Sequence, residues 1–284
     1  MRKDYNIIKD KFNTFIHSWK TKETEDLENL VITDIHAFLS TVNNKEGEQH
    51  TIFGIRDFIK EIPDTDCLEY DICHFVCRLN DKKAHQSAEV AFVASNQNGD
   101  RFVFVATFCN VWVKVAETWK LAEIRMDVKD YETPLRDYFA EKWYFEEPLA
   151  NLTASVHLPC IFPDLDTPYF RIPEMEDILT EEEKIKECFA KFCYGIDWII
   201  FKYCKESMHD NFENDEKHHF IAATKFARQR FRYWCSPYSL EITELTEDKA
   251  SAKATSLVPD CKINRVDFVK ENGKWQIIRY SEGA

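Results

Sequence analysis

The sequence predicts an α+β chain built from two tandem domains, and three observations carry that expectation. Apolar residues first recur at helical spacing and then alternate at strand spacing. The same helix-then-strand order starts again near residue 181. The chain is also 284 residues long, more than one hydrophobic core usually organises, so two domains of about 130 residues each is the natural partition.

Residues 4–19 place Tyr5, Ile8, Phe12, Phe15, Ile16 and Trp19 three and four apart, the stripe of an amphipathic helix. A second helix is expected over 23–32. A third begins near Gly54, with Ile55, Phe58, Ile59 and Ile62 repeating the spacing before Pro63. From residue 67 the period becomes two. Leu68, Tyr70, Ile72 and His74 alternate with Glu69, Asp71 and Cys73, and the runs AEVAFVAS, RFVFVATFCNVWVKV and TWKLAEIRMDV follow across turns at 96–100 and 116–117. Helices before antiparallel strands is an α+β order, not the alternation of a nucleotide-binding sheet. The third run is apolar on both faces, with Phe102, Phe104, Ala106 and Phe108 on one and Val103, Val105, Cys109, Val111 and Val113 on the other. Such a strand needs a cover on each side. One face lines the interior, and the other is expected to meet the second domain, the connector or another copy, which would make self-association through sheet faces one partner contact.

The first domain is read as 1–130, the second as 180–284, with a connector at 131–179. Six of the nine prolines lie in that connector, with Trp143, Tyr144, Phe145, Phe162, Tyr169 and Phe170. So many aromatics imply a short helix near 134–146 and then an extended arm lying on the domains. Thr180 followed by Glu183 matches a capping box. Beyond it KECFAKFCYGIDWIIFKYC answers KDKFNTFIHSWK, setting Phe12 against Phe192 and His17 against Asp197. His36 falls near His209, and HHFIAATKFARQRF answers the Gly54 helix. Four strands close the chain: SLEITEL, KASAKATSLV, CKINRVDFVK and GKWQIIRYS. Trp119-Lys120-Leu121-Ala122 is answered by Trp275-Gln276-Ile277-Ile278. A repeat this long implies duplication of a whole domain.

The bulk numbers exclude several classes of function. A net charge of −13 without a run of Lys or Arg repels a phosphate backbone and an anionic bilayer, so neither nucleic acid nor membrane is expected as a partner. Ten cysteines behind the charged start MRKDYNIIKDKF, which has no secretory apolar core, point to a reducing, cytoplasmic setting. No metal is expected: Cys73, His74 and Cys77 share one strand, and His218 and His219 are adjacent. No cofactor is expected either, since the six glycines form no phosphate-cradling loop. No serine stands in a nucleophile elbow.

KFCYGIDWIIFKYC followed by HDNFENDE resembles the opening of SnoaL-like domains of the nuclear transport factor 2-like superfamily, and GKWQIIRY resembles their last strand. The similarity spans 181–284 and, more loosely, 3–128. It implies two tandem cone-shaped domains of the cystatin-like α+β barrel type. Each would be a curved antiparallel sheet wrapped by about three helices around an apolar pocket. The superfamily includes dehydratases, ketosteroid isomerase-like enzymes, polyketide cyclases and non-catalytic binding modules, so function has to be argued from the site.

The resemblance places Asp197 where dehydratase members keep a pocket aspartate. A carboxylate desolvated by apolar walls moves toward neutral titration and can act as a base. Two departures stand beside it. The tyrosine those members carry five residues earlier is Phe192 here, and YWCSPYSLEI lacks their strand histidine; Tyr194 is the substitute for the first, and His209 or His218, approaching from a loop, for the second. In the first domain His17 takes the aspartate's place, with Phe12 as a wall and His36 as a neighbour, and imidazole suits a base near neutral pH. Glu123 and Arg279 lie two residues beyond Leu121 and Ile277 and are expected on the same inward face. Arg279 would then hold a carboxylate or oxyanion. The leading expectation is a protein that binds a small apolar or amphipathic molecule in a cone pocket. The alternatives are a cofactor-independent dehydratase, isomerase or cyclase for a polycyclic or enone substrate, and an assembly module whose pockets are filled by its own side chains.

Overall fold

The computed structural model describes residues 1–40, 48–49, 51–60, 67–95, 101–130, 161–198, 200–213, 238–256 and 263–282. The chain divides into two units, Met1–Ile72 with Val76–Ile178, and Leu179–Ala284 with Cys73–Phe75. Both are α+β, helices laid on one curved and largely antiparallel sheet. The helices expected at 134–146 and 218–231 lie outside the described residues.

In the first unit α1 (Arg2–Thr21) buries the expected stripe, Tyr5, Ile8, Phe12, Phe15, Ile16 and Trp19. The second helix is only one turn, α2 (Leu27–Leu30), where 23–32 was expected. The chain extends from Val31 because Val, Ile and Thr crowd a helix turn and suit a pleated strand. Then come β1 (Val31–Ser40), β2 (Glu48–Gln49), α3 (Ile52–Lys60), β3 (Cys67–Leu79), β4 (Lys83–Ser95), β5 (Arg101–Val115) and β6 (Thr118–Asp130). The sheet order is β2-β1-β6-β5-β4-β3. β1 runs parallel to β6, whereas β4, β5 and β6 are antiparallel neighbours. On β3 the expected alternation breaks at His74, whose positive φ of 50° leaves Cys73, Val76, Cys77 and Leu79 buried.

The helix face of this sheet is fixed by ring contacts. Phe12 meets Phe108 edge-on, and Trp19 stacks on Phe92 with its ring centroid 5.5 Å away. Val105, Thr107 and Cys109, on the other face of β5, are buried as well. Among the described residues, the part of the connector beyond Ile161 supplies cover there, including α4 (Pro168–Arg171). The backbone N–H of Ile161 donates to Asp127 (3.1 Å), Arg125 pairs with Asp166 (3.7 Å), and Arg78 donates to the carbonyls of Ile172 and Pro173.

The second unit opens with α5 (Glu181–Asp197), whose capping box forms as expected: Thr180 accepts from the Glu183 N–H and Glu183 accepts from the Thr180 N–H. The helix stops at Asp197 and restarts as α6 (Phe201–Ser207). At Gly195 a β-carbon would lie 2.8 Å from the Cys204 backbone nitrogen, so only glycine lets the two helices approach this closely. β7 (Met208–Glu213), β8 (Tyr238–Leu245), β9 (Lys249–Ser256), β10 (Ile263–Glu271) and β11 (Lys274–Glu282) follow, in the order β7-β11-β10-β9-β8. The core gathers Ile185, Phe189, Phe192, Phe268, Trp275 and Ile277.

Three details recur in both units. The first strand pairs in parallel with the last: Val31 with Leu121 and His36 with Glu123, then Met208 with Ile277 and Glu213 with Arg279. The last strand carries a bulge at one position, Ala122 in β6 and Ile278 in β11. An acidic residue in the first helical turn accepts from a tryptophan at the start of the last strand and pairs with a lysine on the strand before it. Asp4 takes Trp119 Nε1 (2.7 Å) and Lys114; Glu181 takes Trp275 Nε1 (2.8 Å) and Lys270. Contacts from Lys184, Lys270 and Trp275 hold the Glu181 carboxyl down at about 2. At Asp4 burial pushes upward, but Trp119 and Lys114 outweigh it and leave the carboxyl lowered.

Matching these clasps sets Ile8 against Ile185, Phe12 against Phe189, Phe15 against Phe192 and Trp19 against Ile196. That is one helical turn away from the expected matching of Phe12 with Phe192. His17 then corresponds to Tyr194 and not to Asp197, and His36 to Glu213 and not to the region of His209. Apolar spacing of three and four nearly repeats after a turn, so it could not by itself fix this register.

Candidate functional site

The register of the first unit gathers a polar group on the sheet face that α1 covers. Residues paired across antiparallel strands share a face, as do residues two apart on one strand. Phe108 faces α1, so Asn110 and Trp112 do too, and Gln86 joins them by pairing with Asn110. Asn110 Nδ2 donates to Gln86 Oε1 at 2.8 Å in a buried environment. The residues are 1%, 0% and 0% exposed for Asn110, Gln86 and Trp112. Gln86 Nε2, Asn110 Oδ1 and Trp112 Nε1 are buried without a hydrogen-bond partner. An unpaired buried polar atom costs about 1–3 kcal/mol, and three on one interior face are a concentrated liability. Amides and indole neither release nor take up a proton near neutral pH, so this group is equipped to bind and orient, not to move protons.

The outer face of the same sheet carries a second polar seam. Arg125 lies over the Phe38 ring (4.6 Å) and donates to Glu123 (2.6 Å), while Asp166 accepts from Arg171 (2.8 Å) and from the Phe162 N–H (2.8 Å). His85 is buried beside this network, and burial, with Lys83 and Arg171, pushes its imidazole down to about 4 against the pull of Asp166. These contacts fasten the arm from Ile161 to Ile172.

The residues singled out from the sequence scatter. Phe12 and Phe192 are buried wall residues; Phe192 stacks with Phe189 and meets Tyr280. Tyr194 is buried against Trp198 and Tyr203. His17 is corrected: it is exposed on α1, away from the buried stripe, with Nδ1 3.4 Å from the Tyr70 hydroxyl. Glu123 is corrected as well. The Ala122 bulge sets Leu121 opposite Trp112 but Glu123 opposite Val111, turning Glu123 to the outer face with its β1 neighbour His36, which is exposed. The Ile278 bulge does the same to Arg279, which pairs with Asp267 and is exposed while Ile277 is buried. His209 sits on β7, its Nδ1 accepting from the Asn211 N–H and its Nε2 3.2 Å from Glu271. Asp197 is half-buried at the last position of α5, where the negative end of the helix dipole disfavours a carboxylate.

Sequence reasoning missed Gln86 and Asn110 altogether. The signal was present: Asn110 falls between Phe108 and Trp112 in the apolar register of β5.

No protein-family model matches the chain, and no curated protein matches its sequence. Solved structures do resemble parts of it. The hexachlorocyclohexane dehydrochlorinase LinA-type3 from Novosphingobium barchaimii shares 12% identity over 48% of this chain and 93% of its own, with a TM-score of 0.41. The CaMKII hub of S. rosetta shares 12% over 43% of this chain and 95% of its own, at 0.38. A protein from Kribbella flavida shares 17% over 44% and 90%, also at 0.38.

Proposed function

We propose that the chain is a duplicated cone-fold protein whose first unit binds a small, largely apolar molecule carrying a polar group, with that group held by Gln86, Asn110 and Trp112. The carrying observation is the set of three unpaired polar atoms on one buried face. Folding against so much desolvation cost is hard to account for unless a bound molecule, water included, completes the hydrogen bonds. Duplication is supported by the parallel first strand, the bulge and the clasp, each present once in each unit. The resemblance to SnoaL-like domains belongs to the same proposal.

Binding is favoured over acid–base catalysis because the groups at hand do not titrate near neutrality. The alternative lyase chemistry at Asp197 would have to work without Arg279, whose side chain is exposed. The test is side-chain amide NMR during titration with small neutral aromatic compounds, with signals assigned through Gln86→Met and Asn110→Leu. Shifts of both amide signals are expected. Shifts confined to the second unit, or a turnover that Asp197→Asn abolishes, would overturn the reading.

A further inference from the structure

We infer that the ligand presents a hydrogen-bond acceptor and donor side by side on an uncharged group, as a lactam or cyclic imide does. This rests on the binding reading above and narrows its chemistry.

The argument starts from the Gln86–Asn110 pair. One amide bond joins them, Asn110 Nδ2 to Gln86 Oε1, leaving the Gln86 amino group and the Asn110 carbonyl oxygen unpaired. Either amide can be the donor, since the oxygen and nitrogen ends of a side-chain amide are alike in size and shape. Turning both amides over makes Gln86 the donor and Asn110 the acceptor. The pair still offers one N–H group and one carbonyl oxygen. The complement therefore has the same make-up whichever way the amides point: one acceptor and one donor, close enough together to serve two amides that are themselves in contact. Trp112 Nε1, one step further along the same strand face, adds a donor and can only meet an acceptor.

Charge decides among groups with that pair of functions. A protonated carboxylic acid has it, but near neutral pH the acid is ionised, loses its donor, and would have to enter this interior as an anion. The three polar groups that meet it are neutral, and burying a charge without a counter-charge is far more costly than burying a neutral amide. Lactams, imides and ureides keep both functions and carry no charge. The body of the ligand is set by the neighbouring rings. Phe108 precedes Asn110 on the same face and touches Phe12 and Trp19, so a flat aromatic or alicyclic skeleton suits the wall.

The experiment is calorimetric titration at neutral pH with three compounds of similar shape: carbostyril, which has the lactam edge, quinoline, which has an acceptor alone, and naphthoate, which carries a charge. Carbostyril is expected to bind about tenfold more tightly than quinoline, the worth of one well-made buried hydrogen bond, and naphthoate most weakly. Gln86→Met and Asn110→Leu should each erase the preference for carbostyril while circular dichroism shows the fold intact; Trp112→Phe should weaken both neutral compounds modestly. If Asn110→Leu does not fold, Gln86→Met alone decides. Equal binding of carbostyril and quinoline would overturn this inference and leave the binding proposal standing. Tightest binding by naphthoate would overturn the neutrality argument. No binding by any of the three, with the amide signals unmoved, would overturn the binding proposal itself.

Discussion

Strand for strand, the two units differ at three neighbouring interior positions. Where the first has Gln86, Asn110 and Trp112, the matching register of the second has Ala252, Val266 and Phe268. Val266 pairs with Ala252 as Asn110 pairs with Gln86, and Phe268 stands opposite Ile277 as Trp112 stands opposite Leu121. All three of the second set are buried within an apolar cluster. The strand pairing and the bulge are therefore common to both units, while the interior amide sits at different positions: Gln86 and Asn110 in the first, and in the second Asn264, buried on the Val266 face and donating to the Tyr280 hydroxyl (2.8 Å). Fold and site vary independently here, which is why architecture alone leaves the function open.

The largest expected effect breaks that comparison directly. Writing the first unit's amide into the second, Val266→Asn, buries a polar group with no partner and should cost about 3 kcal/mol, seen as a lowered denaturation midpoint. The reverse exchange, Gln86→Met with Asn110→Leu, removes both partners of a half-satisfied polar pair and roughly keeps their volume. It should leave stability within about 1 kcal/mol of the parent or raise it. A large loss in the double variant would mean that the amides hold the fold together, and would undo the contrast between the units.

A second test separates the units by pH. His85 is buried in the first unit with its imidazole pushed from 6.5 to about 4. A histidine held neutral by the fold stabilises it fully above 6.5. That stabilisation is lost as the pH falls from 6.5 through 4, because the unfolded chain takes up the proton first. The loss should approach a few kcal/mol, on the order of 3, at the acid end. His85→Gln should flatten the acid limb of unfolding followed by probes in the first unit. An unchanged limb would place His85 outside the network that fastens the Ile161–Ile172 arm.

Much of this architecture is legible because period and punctuation carry it: the α1 stripe, the strands β3 to β6 and β8 to β11 in their order, and the Thr180–Glu183 cap are all expected from spacing, whereas β7, read as an acidic turn, and the break at His74 are not. What escaped has physical reasons. The helix expected over 23–32 overlaps β1 at Val31 and Ile32, and no strand is expected over 33–40, because the parallel partner of β1 lies far along the chain at Leu121. The bulges at Ala122 and Ile278 carry no glycine to mark them, and each reversed the face of the candidate next to it, Glu123 and Arg279. His17 has the right chemistry but the wrong side of its helix. Gln86 and Asn110 were overlooked because neutral amides on a strand are usually solvated, and only the register shows that these two face inward.

The smallest expected effect lies in the hairpin that joins the last two strands of each sheet. The second unit turns through Asn272 and Gly273, at φ of 51° and 77°; the first turns through Ala116 and Glu117, at 45° and 65°. Both are left-handed pairs of the kind that tight hairpins need, but only the second unit uses residues suited to them. A side chain in this region crowds its own backbone, whereas glycine does not. Nothing lies within 4 Å of a β-carbon added at Gly273, so Gly273→Ala reports backbone strain alone and should cost about 1 kcal/mol. Glu117→Gly should return a similar amount to the first unit, since its contact with Lys114 is exposed at 3.7 Å and contributes little. Paired thermal melts of the two variants would measure the difference. Opposite signs of similar size would show one turn geometry filled with different residues; a destabilising Glu117→Gly would mean that the glutamate contributes more than the strain it bears.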